Sequence, residues 1–258
     1  MQPTRNDVTG IALRAGEILR QGYGHKHEVQ HKGAIDLVTD TDHRSEALIV
    51  SAIREKFPTH RIITEESGTL TGEEDHCWYI DPLDGTINYV HDVPLFTVSV
   101  AYAFRGQLQL AAVVEPMRAE CFSAEKGRGA WLNDQPLRVS TVQTLQASLL
   151  VTGFPYDMWQ NSLEHLKFFG RFSTCSQGVR RLGSAALDLC YVAAGRLDGY
   201  WELSIKSYDI AGGALIAMEA GATATRVDGT PDLLRPPCNI LAANPTLHAL
   251  MLDVLRQP

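Results

Sequence analysis

Five cysteines, Cys77, Cys121, Cys175, Cys190 and Cys238, are all that 258 residues contain, and no two form a C-x-x-C pair. An odd, scattered set builds neither a disulfide framework nor a zinc site and implies reduced, packed thiols. Basic residues are also short: 23 Lys and Arg stand against 30 Asp and Glu, a net charge of −7. That balance disfavours a nucleic-acid footprint, which usually needs a basic face to release counterions from phosphates, and no nucleic-acid partner is expected. A phosphorylated ligand is not excluded, because bound cations can supply positive charge locally. No apolar run is long enough to cross a bilayer, and the opening MQPTRNDVTG holds no signal-peptide core. A cytoplasmic protein without a membrane partner is the expectation. Internal repeats and low-complexity tracts are absent as well. What remains is ordinary globular material, 45% apolar and 21% charged, between one large domain and two small ones in length.

Val8, Ile11, Ala12, Ala15, Ile18 and Leu19 fall on one helical face, with Gly22 as a stop. The polar, histidine-bearing stretch from Gly22 to Gly33 reads as a mobile loop. A second helix is expected from about Asp42, carrying Leu48, Ile49, Ile53 and Phe57 inward and stopping before Pro58. The short apolar runs 61–64 and 78–80 each deliver acids at their C-terminal ends. FTVSVAYAF (96–104) and LQLAAVVEP (108–116) flank Arg105-Gly106-Gln107 as an antiparallel hairpin, continued as a meander by 120–134. From about Ser148 short strands alternate with helices near 159–170, 184–194, 209–220 and 245–256. The expected seam lies near residue 140, between an α+β part (1–140) with an antiparallel sheet and an α/β part (141–258).

The most informative segment is Trp78-Tyr79-Ile80-Asp81-Pro82-Leu83-Asp84-Gly85-Thr86-Ile87-Asn88. An apolar strand runs into Asp81, Pro82 turns the chain, and Asp84 follows three residues later. Two carboxylates aimed into one volume repel unless a cation lies between them. Mg²⁺ prefers carboxylate, carbonyl and water oxygens, so this pair suits it. Gly85-Thr86 then frees backbone N–H groups at a helix start, where a phosphate can be held. The competing interpretation is an Asp-rich surface turn. Thr64-Glu65-Glu66-Ser67-Gly68 follows another strand and either completes a metal site or forms a solvated acidic turn. Asp42, in Asp36-Leu37-Val38-Thr39-Asp40-Thr41-Asp42, doubles as a candidate helix cap, as does Asp209 in Tyr208-Asp209-Ile210-Ala211-Gly212-Gly213. Together these acids end three or four apolar elements, which is how an α/β protein assembles a metal site.

These motifs, with Glu65-Glu66-Ser67, the run from Trp78 through His91, and Glu219-Ala220-Gly221 after Asp209, resemble those of the inositol monophosphatases in order and spacing over nearly the whole chain. The resemblance implies a layered α-β-α-β-α sandwich, dependence on two to three Mg²⁺ ions, lithium sensitivity and a homodimer. It implies that Glu65, Asp81 and the carbonyl of Leu83 bind one metal. Asp81, Asp84 and Asp209 would bind a second, with Glu65 also near a weaker third ion. Most ligands then belong to 1–140, while 141–258 supplies Asp209 and substrate contacts. Asp42 and Thr86, with Glu65 beside them, correspond to the groups that activate the attacking water, and the N–H groups of Gly85 and Thr86 hold the phosphate. The chemistry is consistent: a cation makes water a usable nucleophile near neutral pH and offsets charge on the phosphoryl oxygens.

The expected substrate is a small phosphorylated polyol, inositol 1-phosphate, which Asp84, Gly85 and Thr86 contact at the phosphate. Gly183, Ser184, Ala185 and Glu202 match positions that touch ring hydroxyls, and a carboxylate accepts hydrogen bonds from vicinal diols. Alternatives are the same reaction on fructose 1,6-bisphosphate, histidinol phosphate or a 3′-phosphonucleotide, or a non-catalytic regulatory binding protein on the same fold. Lys32 lies near the basic residue of the family's N-terminal loop. Three departures stand out: Tyr208 for the commoner Trp, Thr64 where Gly usually precedes the paired glutamates, and Ala222 where a second Gly often follows E-A-G. His25, His27 and His31 are either a transition-metal cluster or exposed loop residues, and His91 is structural.

Overall fold

The computed structural model describes residues 1–25, 29–31, 37–155 and 162–257. Helix α1 (Arg5–Gly22) begins with a capping box in which Thr4 and Asp7 exchange hydrogen bonds. It buries Val8, Ile11, Ala12, Ala15 and Leu19 along one stripe. Strands β1 (Val29–His31) and β2 (Leu37–Thr39) pair antiparallel, with Val29 opposite Thr39. The stretch expected as a loop from Gly22 to Gly33 therefore contains a strand. Polar composition hid it, because its ladder depends on partners six to ten residues away. Lys32, Asp36 and His27 lie outside the described residues.

Helix α2 (Asp40–Lys56) follows directly. Strands β3 (His60–Thr64), β4 (Gly68–Leu70) and β5 (Glu73–Asp84) come next, then the short helix α3 (Thr86–Val90). The meander β6 (Thr97–Phe104), β7 (Gln107–Glu115), β8 (Glu120–Glu125), β9 (Gly129–Leu132) and β10 (Gln135–Pro136) completes an eight-stranded sheet of order β10-β9-β8-β7-β6-β5-β3-β4. The β6–β7 hairpin turns through Arg105-Gly106, with Phe104 opposite Gln107. The pair β3–β5 is parallel within this otherwise antiparallel sheet.

The second half contributes β11 (Leu149–Thr152), α4 (Ser162–Cys175), β12 (Gly178–Arg180), α5 (Ala185–Ala193) and β13 (Gly199–Ile205). Helix α6 (Ser207–Glu219), β14 (Thr223–Thr225), β15 (Cys238–Ala243) and α7 (Pro245–Arg256) complete it. Its five-stranded sheet has the order β12-β11-β13-β15-β14, parallel at β11–β12 and β11–β13 and antiparallel elsewhere.

The layers stack as α1/α2, the large sheet, α5/α6, the small sheet, and α4/α7, the α-β-α-β-α order expected. Three apolar cores fill the interfaces. One joins α1 and α2 to the large sheet through Ile49, Ile53, Trp78 and Val100. A second, between the two sheets, links Val113 and Phe122 to Leu189, Ile210 and Tyr200. The third packs Phe172, Trp201 and Met251 beneath α4 and α7. Every layer but the outermost helices thus has both faces shielded from water, and each fully buried large side chain contributes about 1.5–3 kcal/mol. Helix α6 is pressed so close to the large sheet that a Cβ at Gly212 would stand 2.5 Å from Ser99 Oγ. Only glycine allows this approach, which brings the first turn of α6, and Asp209 with it, to the end of β5.

Candidate active site

Strand β5 loses register with β6 between Asp81, opposite Ser99, and Asp84, opposite Thr97. The irregularity sits at Pro82, which has no N–H to give to a ladder. Asp81 Oδ1 accepts from the Leu83 amide at 3.0 Å, and Ser45 Oγ on α2 donates to the Pro82 carbonyl at 2.8 Å. The turn is thereby held from inside and from the neighbouring helix. Gly85 then adopts φ of 94°, and a Cβ there would lie 3.0 Å from the Leu95 carbonyl. Conformation and space both require glycine.

Asp42 is fully buried and does two things at once. Its Oδ2 takes the Thr39 amide at 2.8 Å and the Thr39 hydroxyl at 2.6 Å, closing the capping box of α2. Its Oδ1 stands 3.2 Å from Thr86 Oγ1, which also lies 3.0 Å from the Leu83 carbonyl. The helix-cap interpretation is thus correct and incomplete. Asp209 likewise closes the first turn of α6, its Oδ2 accepting from the Lys206 amide at 2.9 Å. Its other oxygen is left for the cleft.

Asp84 Oδ2 accepts from Ser184 Oγ at 2.6 Å and the Ala186 amide at 2.7 Å, so α5 is tied to the β5 turn. Ser184 also caps α5. Asn88 Nδ2 donates to the carbonyls of Leu95 and Leu182, both at 2.7 Å, and so fixes Gly183 against α3. Glu202, buried in the middle of β13, accepts from the Tyr200 hydroxyl at 2.5 Å.

Glu65, Asp81, Leu83, Asp84, Gly85, Thr86, Gly183, Ser184, Ala185, Glu202 and Asp209 all line one cleft of about 370 Å³, with Asp42 directly behind Thr86. The structure thus brings to one place every residue expected above to bind metal, hold the phosphate or border the polyol. It adds Asp188, Arg181, Phe154, Tyr208 and Lys206 to the lining. Asp188 had no signal, lying inside the apolar run Ala185–Ala193, yet its buried Oδ1 has no hydrogen-bond partner among the described residues. His25 and His91 lie outside this lining.

The electrostatics are unusual. Burial pushes the Asp81 carboxyl well above the usual range, reinforced by Glu65, Asp84 and Asp209. Asp209 is raised by burial and then by Glu65 and Asp84. Asp84 rises to about 6 through burial, against the lowering effect of its bonds from Ser184 and Ala186. Burial takes Glu202 up to about 7, partly offset by Tyr200. Asp188 is raised by burial, then by Asp84 and Glu202. Six carboxyl side chains meet two cationic ones, Arg181 and Lys206, among the residues lining the cleft. Such a place repels a phosphate until positive charge enters it.

The donor set is all oxygen, which suits a hard divalent cation. Among the described residues no three His, Cys, Asp or Glu side chains are drawn tightly enough to close a metal cage by themselves.

Residues 1–257 match the profile of the inositol monophosphatase family. The chain belongs to that family. Inositol monophosphatase from Anabaena (Nostoc) sp. PCC 7120 superposes with a TM-score of 0.88 at 41% identity, covering 97% of this chain and 94% of that one. Inositol monophosphatase II of Staphylococcus aureus, solved with inositol monophosphate bound, gives a TM-score of 0.81 at 26% identity, covering 96% and 91%. A Vibrio cholerae relative, 41% identical over 260 residues and covering 100% of this chain and 97% of its own, is named Nus factor SuhB. As a member of the inositol monophosphatase family the chain carries a phosphatase fold. Among the described residues no helix is long and apolar enough to cross a membrane.

Proposed function

We propose that the chain is a Mg²⁺-dependent phosphomonoesterase that hydrolyses inositol 1-phosphate to inositol and phosphate. The observation that carries this is the coincidence of the buried Asp81 and the half-buried Asp84 and Asp209 in one cleft with Thr86, which Asp42 backs. In this reading Glu65, Asp81, Asp84, Asp209 and the Leu83 carbonyl hold two to three Mg²⁺ ions. Those ions would offset the carboxylate repulsion, lower the pKa of water and neutralise the phosphoryl oxygens.

The chain's own groups supply the rest. Asp42 has Oδ2 committed to Thr39, so Oδ1 is the acceptor that faces Thr86. Thr86 takes the proton of the attacking water as it passes its own to Asp42. The N–H groups of Gly85 and Thr86 orient the phosphate, placing its phosphorus in line with the water. The ester P–O bond breaks as the new P–O bond forms, and the polyol oxygen leaves with a proton from solvent. Ser184 holds Asp84 in place and, with Gly183 and Ala185, borders the polyol. Glu202, its position fixed by Tyr200, accepts hydrogen bonds from adjacent ring hydroxyls. The inositol monophosphate bound to the Staphylococcus aureus relative supports the choice of polyol.

A binding role on the same fold is the second reading, favoured by the name Nus factor SuhB carried by the Vibrio cholerae relative. The complete acid set argues for turnover, since an idle cleft would keep mutually repelling charges without use. Phosphate release from inositol 1-phosphate, abolished by chelation and restored by Mg²⁺, is the expected result; no release under any metal condition would leave only the binding role. Lithium inhibition and a homodimer belong to the same proposal.

A further inference from the structure

Glu46 lies one helical turn beyond Asp42 on α2, on the same buried face, and is only 4% exposed. Its carboxylate receives four hydrogen bonds from a single turn of chain. Oε2 takes the Thr64 hydroxyl at 2.6 Å and the Glu66 amide at 3.0 Å. Oε1 takes the Ser67 amide at 3.1 Å and the Ser67 hydroxyl. Glu65 sits inside this clamp and lines the cleft. With four donors on two oxygens, the Glu46 carboxylate is saturated by protein and is not itself a ligand.

Helix α2 therefore touches all three parts of the site: Asp42 meets Thr86, Ser45 meets the Pro82 carbonyl, and Glu46 meets the Glu65 turn. We propose that Glu46 is the positioning residue of the cation site, fixing the turn that presents Glu65. Thr64 deepens this role. Its hydroxyl makes a direct side-chain bond to Glu46. Charge-assisted bonds to a carboxylate are about twice as strong as neutral ones, so the clamp is stiff. Partners that orient metal ligands typically change affinity about 10- to 100-fold when removed.

The inference rests on the cation reading of the cleft, and its test separates the two. Mg²⁺ binding to the substrate-free protein is measured by calorimetry for wild type, Glu46→Gln and Thr64→Val, with melting temperatures recorded alongside. The Gln amide cannot accept from donors on both sides, so Kd for Mg²⁺ should rise about tenfold or more. Thr64→Val, which keeps shape and loses one donor, should raise it by a smaller factor. In both variants saturating Mg²⁺ should restore most of kcat. A lowered melting temperature with unchanged Mg²⁺ Kd in both would reduce Glu46 to a fold stabiliser and overturn the proposal. Should Glu46→Gln fail to fold, an unchanged Kd in Thr64→Val overturns it alone. Absence of Mg²⁺ binding by wild type would instead remove the cation reading, and this role with it.

Discussion

Thr86 Oγ1 stands 3.2 Å from Asp42 Oδ1, although the two are separated by 44 positions in sequence and belong to different helices. The same hydroxyl is 3.0 Å from the Leu83 carbonyl, so its single proton has two acceptors to choose between. That ambiguity suits a group that must release its proton to Asp42 when a water approaches. Thr86→Val keeps the shape and removes the relay. We expect kcat to fall about 100-fold or more, the range of general-base contributions, while Mg²⁺ binding by calorimetry stays within twofold. A variant with wild-type kcat would show that the pair has no part in proton transfer.

Asp84→Asn and Asp209→Asn each remove one like charge from a buried cluster. Both should keep the fold and lose nearly all turnover. In metal-free protein they should also melt no lower than wild type, because repulsion with Asp81 is relieved. Added Mg²⁺ should stabilise them less than it does wild type. Wild-type rates in either variant would sink the two-metal assignment.

Glu202→Gln separates recognition of the polyol from chemistry on the phosphate. Hydrolysis of inositol 1-phosphate should lose at least tenfold in kcat/KM, the scale of an interrupted hydrogen-bond pair to charged acceptors. A generic ester without vicinal hydroxyls should be much less affected. Equal losses on both would mean that Glu202 does not contact the ring.

His60 gives a pH dependence remote from the cleft. Burial, with His76 stacked on it at 4.2 Å, lowers its pKa from the usual 6.5 to about 4. In the unfolded chain the imidazole takes a proton below about 6.5, whereas in the fold it resists until about 4. Its contribution is therefore present above pH 6.5 and is lost as pH falls through that window. His60→Asn keeps an acceptor for Trp78 Nε1 but cannot titrate. Urea unfolding of wild type should lose stability more steeply than the variant between pH 6.5 and 4, and parallel curves would contradict the assignment.

Much of the fold was legible because its signals are local. Ser184 and Asn244 cap α5 and α7 where the apolar periodicity begins, and both helices fall within a residue or two of expectation. Glu65, Asp81, Asp84 and Asp209 were legible for the same reason, each following or ending a strand or opening a helix. Strand β1 was missed because polar residues pair as readily as apolar ones when a partner strand holds them. The three-residue run 78–80 grew into β5, Glu73–Asp84, because β3 and β6 extend the ladder on both sides. Glu46, Asn88 and Asp188 were invisible for a different reason. Their meaning lies in partners from 7 to 94 residues away, or, for Asp188 Oδ1, in having none among the described residues, and no spacing rule reports that.

The most direct test of the central claim is phosphate release with Mg²⁺ from inositol 1-phosphate, fructose 1,6-bisphosphate, histidinol phosphate and a 3′-phosphonucleotide, each with and without lithium and EDTA. The account predicts the highest kcat/KM on inositol 1-phosphate, with release abolished by EDTA and reduced by lithium. Preference for another ester would contradict the polyol assignment, and release from none of the four would contradict the phosphatase itself.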